Sequence, residues 1–464
     1  MVLAFLSLTT GTAIAGEAGL IGKSGFAGRN VGYLVADLTT GEVLREANTE
    51  SAFIPASLIK LATGYAALEI LGPNHRFATS VYAEPLGRGL RLHLSGGGDP
   101  VLVQEDLAVL SERLAANIGA IRIEQFSYDE DAVPFATAVD PGDDVANSYN
   151  PPVSALSVNF NRQWLKWQRP AEHFAMIAGL VPDLGQAVAG VAAQAPPDGR
   201  PVQILPSDEL GRTVYLIGPR QPSKGQRRVA VRKPALRTAL MLRDFAAKAG
   251  LALPLPVAGA RPAGSQPVAT VLSRPMDEIA EALFKYSNNL SAELTGMAAA
   301  ARLLERPVPI RESAAAIKNW LSGPGKISMK ATTHWLNLSG LSGASLMSPG
   351  ELIALLQKAS LRPYNGRPFL ELLSTPRWAK RQPELALRAK SGTMSYSRGL
   401  AGVMRNVGGR QVLFVLMHTD FAARERFERH PQRFSNAVRR RAGRWLGRAR
   451  SLERQLLLHW HETL

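Results

Sequence analysis

The alternation of apolar and polar positions predicts a β hairpin near the start of the chain, followed by a helix. Residues 31–44 alternate around the pair Thr40-Gly41, as a hairpin does. Pro55 then precedes an apolar stretch at 57–71 that stops at Gly72-Pro73, which predicts a helix. Residues 76–110 have strand-like patterning and include a turn signal, SGGGDPVL. The pattern predicts a chain that mixes helices and strands.

The second half of the chain is predicted to be largely helical, with strands near its end. Helical spacing begins at about residue 276, and residues 390–420 predict two strands joined at Gly408-Gly409. Two stretches, 184–206 and 252–268, are rich in Pro, Gly and Ala. Such composition is typical of long loops or joints between domains.

The N-terminal residues predict a secretory signal. An apolar run ends in Ala13-Ile14-Ala15, a small-x-small pattern, which predicts a signal peptide over 1–15 that is cleaved before Gly16. No Lys or Arg precedes the run, so a first buried helix or strand is the alternative. Because no other apolar run is long enough to span a bilayer, we expect a mature protein that is soluble or peripheral.

Composition and net charge limit the classes of function that the chain can have. The 464 residues carry a formal net charge of +16, which favours an anionic partner such as a membrane surface, a cell-wall polymer or nucleic acid. The absence of cysteine excludes disulfides, zinc-thiolate sites and a cysteine nucleophile. The eight histidines are scattered without an H-E-x-x-H pattern, so we expect no metal and no other cofactor.

Ser57 and Lys60 form the first candidate catalytic pair. Three positions apart at a helix start, their side chains share a face within reach of each other. The helix N-terminus favours negative charge developing near Ser57. A lysine in an otherwise apolar helix needs a partner if it is buried. The alternative is a surface lysine whose stem packs on the protein while its amine reaches water.

Two later segments carry further candidates. Ser287 and Asn289 lie two apart between helices, where both can face one cleft; helix capping is the alternative. In the predicted strand at 390–393, Lys390 and Gly392 lie on one face and Ser391 and Thr393 on the other. Lys390 would attract a carboxylate and lower the pKa of a nearby lysine. Gly392 would let a ligand approach the backbone, and Thr393 could offer its N–H to an oxyanion and its hydroxyl to a carboxylate.

The order of these motifs is more specific than any one of them. S-x-x-K, S-x-N and K-[ST]-G in this order characterise penicillin-binding proteins and class A β-lactamases. Segments 54–79, 95–102, 149–161, 338–356 and 392–402 match further motifs. The chain resembles the D-alanyl-D-alanine carboxypeptidase/endopeptidase family of low-molecular-mass penicillin-binding proteins.

This resemblance implies an α+β fold of the β-lactamase/transpeptidase type, with an antiparallel sheet and helices on both faces. The long interval between Lys60 and Ser287 implies an insertion into a discontinuous catalytic domain. We therefore predict the catalytic domain over 16–80 and 268–464, and a β-rich insert over 81–267 made of two smaller nested domains. No Glu-x-x-x-Asn deacylating loop follows Ser287, so a penicillin adduct should be long-lived.

The resemblance also implies roles for the motif residues. Ser57 would attack the carbonyl between two D-alanines, Lys60 would take its proton and Ser287 would protonate the leaving amine. The N–H groups of Ser57 and Thr393 would form the oxyanion hole. Asp143 and Asp144 match an acidic pair that in the family reaches the cleft from the insert; an exposed turn is the alternative.

Some positions depart from the family pattern. Ser391 replaces the commoner threonine but keeps a hydroxyl. Gly343 stands where the Ser-Gly-Leu-Ser loop is often followed by arginine, and Tyr396 stands where a small residue is frequent. These differences concern substrate preference.

The C-terminal segment is strongly basic. Residues 421–464 hold eleven arginines and four glutamates, with Trp445, Leu446, Leu452, Leu456 and Leu457 spaced among them. This pattern suits a helix lying on an anionic membrane, or a helix that packs on the catalytic domain with a solvated basic face.

The leading hypothesis is a periplasmic serine DD-peptidase, a carboxypeptidase, an endopeptidase or both, that acts on peptidoglycan stem peptides and is acylated by β-lactams. A β-lactamase or esterase on the same fold, and a non-catalytic cell-wall-binding scaffold, are the alternatives. Nucleic-acid binding is not expected, because nothing aromatic or loop-like suggests base recognition.

Overall fold

A computed structural model describes residues 8–168, 177–181, 187–191, 194, 196–205, 213–323 and 326–464. Helices α1 to α10 span Leu8–Lys23, Ile59–Leu71, Gln104–Ile118, Pro234–Lys248, Met276–Tyr286, Asn289–Leu304, Ile310–Leu321, Pro349–Ser360, Phe421–Glu428 and Asn436–Thr463. Strands β1 to β9 span Val31–Asp37, Val43–Ala47, Ala78–Leu86, Gly89–Gly96, Ile123–Tyr128, Arg162–Gln168, Ile177–Val181, Ala187–Val191 and Val202–Leu205. Strands β10 to β18 span Thr213–Ile217, Lys224–Ala230, Val257–Ala258, Gln266–Leu272, Pro363–Tyr364, Arg367–Pro368, Arg388–Met394, Ser397–Arg405 and Gln411–Thr419.

The sheet that carries the candidate site is assembled from both ends of the chain. Its strand order is β16-β17-β18-β1-β2, and every neighbouring pair is antiparallel. Along β1 the residues alternate between two cores: Leu34 faces the core formed with α2 and α5 to α8, whereas Tyr33 and Val35 face the core formed with α1 and α10. The predicted α+β class, with helices on both faces of an antiparallel sheet, is confirmed.

Smaller sheets lie between the two halves of this sheet in the sequence. One has the order β12-β5-β4-β3-β13 and packs against α3 and α4 around a separate apolar core. Two three-stranded sheets, β11-β6-β7 and β8-β10-β9, share a small core that includes Trp167 and Tyr215. The proposed domain limits at 80/81 and 267/268 stay a prediction.

Several local predictions are confirmed and others are wrong. The hairpin at 31–44 is β1 paired with β2, and the helix at 57–71 is α2 preceded by a 3-10 turn at Ala56–Leu58. The stretch 252–268 is not simply a joint, because it contains β12 and the start of β13. Residues 390–420 form three strands rather than two, because the chain also turns between β16 and β17. The predicted joint at 184–206 lies partly outside the described residues.

The two ends of the chain meet on one face of the sheet. Helix α1 continues through the predicted cleavage site, and residues 1–7 of the predicted signal lie outside the described residues. The buried Glu17 accepts a hydrogen bond from Trp460 Nε1 at 3.1 Å. In the parts of the chain that the structure describes, no helix combines the length and the apolar content needed to cross a bilayer.

Candidate active site

The three motifs meet at one cavity of about 680 Å³. Six of the predicted site residues line it: Ser57, Asp143, Asp144, Ser287, Asn289 and Thr393. Lys60 and Lys390 are fully buried and reach the cavity by hydrogen bonds to Ser57 and Ser287. Ser391 and Gly392 lie in β16 beside it without lining it.

Lys60 is surrounded by three oxygen atoms. Its Nζ lies 2.8 Å from Ser57 Oγ, 2.7 Å from Asn289 Oδ1 and 2.7 Å from the carbonyl oxygen of Ser339. Asn289 donates its amide N–H to the Tyr149 carbonyl at 2.8 Å, which fixes its oxygen toward Lys60. The amide and carbonyl oxygens can only accept hydrogen bonds. A neutral Lys60 amine therefore keeps its two N–H groups on them and presents its lone pair to the Ser57 hydroxyl.

Burial lowers the pKa of Lys60 well below its usual value, and the charge of Lys390 lowers it further. The fully buried carboxyl of Glu293 acts in the opposite direction on this pKa. Glu293 accepts hydrogen bonds from the N–H groups of Leu338 and Ser339 at 3.0 and 2.9 Å, so it holds the loop whose carbonyl binds Lys60. Burial raises the pKa of Glu293 itself to about 7.

Lys390 joins the second and third motifs. Its Nζ donates to Ser287 Oγ at 2.8 Å and to the carbonyl oxygen of Ser391 at 2.7 Å. Burial, together with the charge of Arg398, lowers the pKa of Lys390 to about 7. Ser287 is held in the left-handed region at φ 56°, between the last residue of α5 and the start of α6, which aims its hydroxyl at this amine.

Gly392 has a different neighbour from the one predicted. A Cβ at this position would collide with the carbonyl oxygen of Pro55 and would lie 3.2 Å from the backbone nitrogen of Ser57. The close approach that the glycine permits is therefore that of β16 to the turn that carries Ser57, rather than that of a ligand.

Thr393 accepts a hydrogen bond from an arginine that belongs to a buried ion pair. Arg398, its partner across β16 and β17, donates from Nη1 to Thr393 Oγ1 at 2.8 Å. The same guanidinium makes two 2.7 Å bonds to the carboxylate of Glu453, a buried residue of α10. Because Oγ1 already accepts this bond, the hydroxyl proton of Thr393 remains available to the cavity.

The two acids of the insert differ in their surroundings. Asp144 is buried and accepts hydrogen bonds from Ala146 N and Asn147 Nδ2 at 3.0 and 3.1 Å, with Arg200 Nη1 3.5 Å away. Asp143 is half-buried, and its pKa, like that of Asp144, is raised by burial. Both carboxyl groups border the cavity, so the exposed-turn alternative is wrong for this pair.

A guanidinium from α9 fills the space next to Gly343. A Cβ on Gly343 would lie 2.6 Å from Nη2 and 3.2 Å from Cζ of Arg424. Arg424 forms an ion pair with Glu428 and donates from Nη1 to the Ser395 carbonyl at 3.1 Å. The arginine that the loop sequence lacks is thus replaced by one from a later element.

Sequence reasoning missed four residues of this arrangement: Glu293, Arg398, Arg424 and Glu453. Glu293 follows Asn289 by one helical turn, a spacing that could have revealed it. Arg398 faces Thr393 only because of the unpredicted turn at Tyr396, and nothing local marks Arg424 or Glu453.

Four of the five apolar side chains predicted to be spaced among the arginines of the C-terminal segment are buried, and Leu446 is half-buried. Trp445, Leu452, Leu456 and Leu457 are buried in the core between α10 and the sheet. Of the two arrangements that the sequence allowed, the helix packs on the catalytic sheet and leaves its basic face in solvent.

Comparisons with known proteins agree with this fold. The chain is similar to penicillin binding protein 4 of Haemophilus influenzae, with a TM-score of 0.72 and 21% identity over 86% of this chain and 92% of the other. The same protein in complex with a β-lactam gives a TM-score of 0.67 at 21% identity, over 84% and 89% of the two chains.

A curated relative, the D-alanyl-D-alanine carboxypeptidase of Actinomadura sp. (strain R39), is 42% identical over 103 residues. That match spans 21% of this chain and only 19% of the relative. The model of the D-Ala-D-Ala carboxypeptidase 3 (S13) family matches residues 19–435. The chain therefore belongs to the D-Ala-D-Ala carboxypeptidase 3 (S13) family.

Proposed function

We propose that this protein is a serine-type DD-peptidase that hydrolyses D-alanyl peptide bonds in the stem peptides of peptidoglycan. The observation that carries the proposal is the 2.8 Å approach of a buried lysine amine to Ser57 Oγ, with two other partners that can only accept. A lysine in this setting is a general base, and the serine beside it is a nucleophile.

Acylation begins when neutral Lys60 takes the hydroxyl proton of Ser57. The Ser57 oxygen then forms a bond to the carbonyl carbon of the penultimate D-alanine. The N–H groups of Ser57 and Thr393 stabilise the resulting oxyanion. The hydroxyl of Thr393 and the charge of Lys390 bind the terminal carboxylate.

The tetrahedral intermediate collapses by breaking the peptide C–N bond. Ser287 gives its proton to the leaving amine and takes one from Lys390, whose pKa of about 7 suits the transfer. Lys60 releases its proton to solvent and Lys390 regains one. Lys60, again neutral, then activates the water that hydrolyses the acyl ester and restores Ser57.

The comparisons support the substrate class. The matching family and the Actinomadura relative are both described as D-alanyl-D-alanine carboxypeptidases, and a related fold binds a β-lactam. We therefore propose that β-lactams acylate Ser57 as well. Peptidoglycan lies outside the cytoplasmic membrane, so the proposed reaction agrees with the predicted export of the chain to the periplasm.

The test is an assay with a synthetic stem pentapeptide that ends in D-Ala-D-Ala. We expect the wild type to release free D-alanine, and we expect Ser57→Ala and the same peptide ending in L-Ala-L-Ala to give none. A cross-linked peptide dimer in the same assay measures endopeptidase activity. Turnover of penicillin without peptide hydrolysis would favour the β-lactamase alternative, and no reaction with either compound would favour the scaffold.

A further inference from the structure

A second cavity adjoins the candidate active site. It has a volume of about 950 Å³ and lies between α9, α10 and the turn at Tyr396. Phe427 lines both cavities, so the second, which we name the arginine groove, begins where the first ends. Its floor is aromatic: the Tyr396 ring lies 6.0 Å from that of Phe427 and 5.8 Å from that of Trp445.

Four exposed arginines line the groove: Arg426, Arg441, Arg444 and Arg448. Arg448 lies over the Phe26 ring at 5.5 Å. Among the residues that the structure describes, the guanidinium groups of Arg426, Arg441 and Arg444 have no acidic partner and no other hydrogen-bonding partner.

The nearby acids are already engaged elsewhere. Glu425 pairs with Arg429 at 2.7 Å, and Glu428 pairs with Arg424 and Arg433 on the side of the active site. Asp420, the single acid among the groove's lining residues, caps α9 by accepting the Ala423 N–H at 2.9 Å. No Asp or Glu occurs in α10 before Glu453, which is buried against Arg398. The groove therefore concentrates positive charge that the fold leaves without counter-charge.

We propose that the arginine groove binds the free carboxylates of a second stem peptide of the same peptidoglycan strand. This inference rests on the proposed function, because it extends the substrate beyond the scissile bond. Guanidinium groups bind carboxylates through paired hydrogen bonds, and every stem peptide that is not cross-linked through its C-terminus ends in a carboxylate.

Two observations favour this occupant over a lipid surface. The groove is concave and continues from the active site at Phe427, as an extended polymer requires. Most of the large apolar residues of α10 are buried in the core, so the helix offers little to insert between lipids.

The test compares two double variants of α10 that remove equal charge. Arg441→Glu with Arg444→Glu changes the groove, whereas Arg440→Glu with Arg450→Glu changes exposed arginines outside it. We measure co-sedimentation with insoluble peptidoglycan at low and high salt. We expect the groove variant to lose about tenfold in affinity at low salt, less at high salt, while the control variant binds like the wild type.

Two further measurements separate this inference from the proposed function. Hydrolysis of the free pentapeptide should be unchanged in both variants, because the groove lies beyond Ser57, Lys390 and Thr393, the proposed contacts of a single short peptide. Amidation of the peptidoglycan carboxylates should abolish the difference between the groove variant and the wild type. If the wild type hydrolyses no peptide, the proposed function fails, yet the sedimentation comparison still reports on the groove.

Three results would overturn the inference. Equal loss of binding in both double variants would indicate a general charge effect. An undiminished difference on amidated peptidoglycan would exclude carboxylates as the ligand. Binding of the groove to phosphatidylglycerol vesicles, without any difference on peptidoglycan, would indicate a membrane partner instead.

Discussion

Lys60, Lys390 and Glu293 are three buried ionisable groups, and the charge of Lys60 is coupled to both others. Burial lowers the pKa of each lysine and raises that of the glutamate. The charge of Lys390 lowers the pKa of Lys60, whereas Glu293 raises it. Interacting groups of this kind titrate as a set rather than singly. The activity should therefore depend on pH through two opposing requirements, a neutral Lys60 and a charged Lys390.

The first prediction concerns the rate of acylation by penicillin as a function of pH. The rate should rise with pH as Lys60 loses its proton, and fall at higher pH as Lys390, with a pKa of about 7, loses its own. In Lys390→Arg the guanidinium stays charged, so the alkaline fall should disappear whatever the maximal rate. Stopped-flow acylation across the pH range measures this, with the exposed Lys285→Arg as control. An alkaline fall that persists in Lys390→Arg would contradict the assignment.

The second prediction concerns Gly392. An added methyl group would collide with the Pro55 carbonyl and push β16 away from Ser57. Gly392→Ala should therefore lower the acylation rate by about a hundredfold, since small displacements of reacting groups have effects of that size. Gly443→Ala, with open space around it on α10, should acylate normally. A normal rate in Gly392→Ala would show that the strand tolerates the shift.

Much of this site is predictable from the sequence because its chemistry is local. Ser57 and Lys60 are brought together by a helix start, and each of the other two motifs lies within three or four consecutive residues. Their side chains are therefore placed together by local structure alone. Glu293 could not be identified as a partner of Lys60 without the position of the loop at Ser339, which depends on tertiary packing. The pKa shifts likewise depend on burial, which the sequence does not specify.

At the scale of elements, α10 is tied to the catalytic strand by a buried ion pair. Glu453 on the helix binds Arg398 on β17, and Arg398 binds Thr393 on β16. Removing one partner of such a pair leaves a buried charge uncompensated, whereas replacing both by apolar residues is often tolerated. Stability and catalysis can therefore be separated at this site.

The third prediction uses that separation. Glu453→Met should lower the free energy of unfolding by about 3–5 kcal/mol, and adding Arg398→Met should recover most of it. The acylation rate should stay low in the double variant, because Thr393 has lost the donor that orients its hydroxyl. Urea unfolding and penicillin acylation measure the two effects. If the double variant recovers both the free energy of unfolding and the acylation rate, the ion pair of Arg398 and Glu453 contributes to stability alone.

The fourth prediction concerns the guanidinium beside Gly343. Arg424 lines the same cavity as Thr393, and we expect its guanidinium to add a charged contact to the bound peptide beyond those of Thr393 and Lys390. Arg424→Ala should therefore raise KM for the pentapeptide about tenfold, with a smaller effect on kcat. The double change Gly343→Arg with Arg424→Ala should restore KM, because it returns a guanidinium to the same space from the loop. Arg429→Ala, which pairs with Glu425 outside the cavity, is the control. If KM stays high in the double variant, Arg424 supports the position of α9 rather than binding the peptide through its charge.

The contacts between elements were harder to predict than the motifs, because no sequence signal marks the turn between β16 and β17. Tyr396 adopts the left-handed conformation at φ 60°, which sequence reasoning expects of Gly or Asn. The glycine pair at 408–409 marked the next turn correctly. Because the turn at Tyr396 contains no glycine or asparagine, the pairing of Thr393 with Arg398 could not be predicted from the sequence.

At the scale of the whole molecule, the catalytic sheet joins β1 and β2 from the start of the chain to β16, β17 and β18 from its end. The long interval between the first two motifs predicted such an arrangement. The C-terminal helix was harder to interpret, because an arginine-rich amphipathic pattern suits either a lipid surface or a protein core. Only the burial of its apolar side distinguishes them.

The most direct test of the account is the mass of the intact protein after incubation with a penicillin. We predict one stable adduct on the wild type, located at Ser57 by peptide mapping, and none on Ser57→Ala. Ser342→Ala, which alters another serine of the same cavity, should be acylated like the wild type. An adduct that forms equally on Ser57→Ala, or that maps to a different serine, would contradict the assignment of Ser57 as the nucleophile.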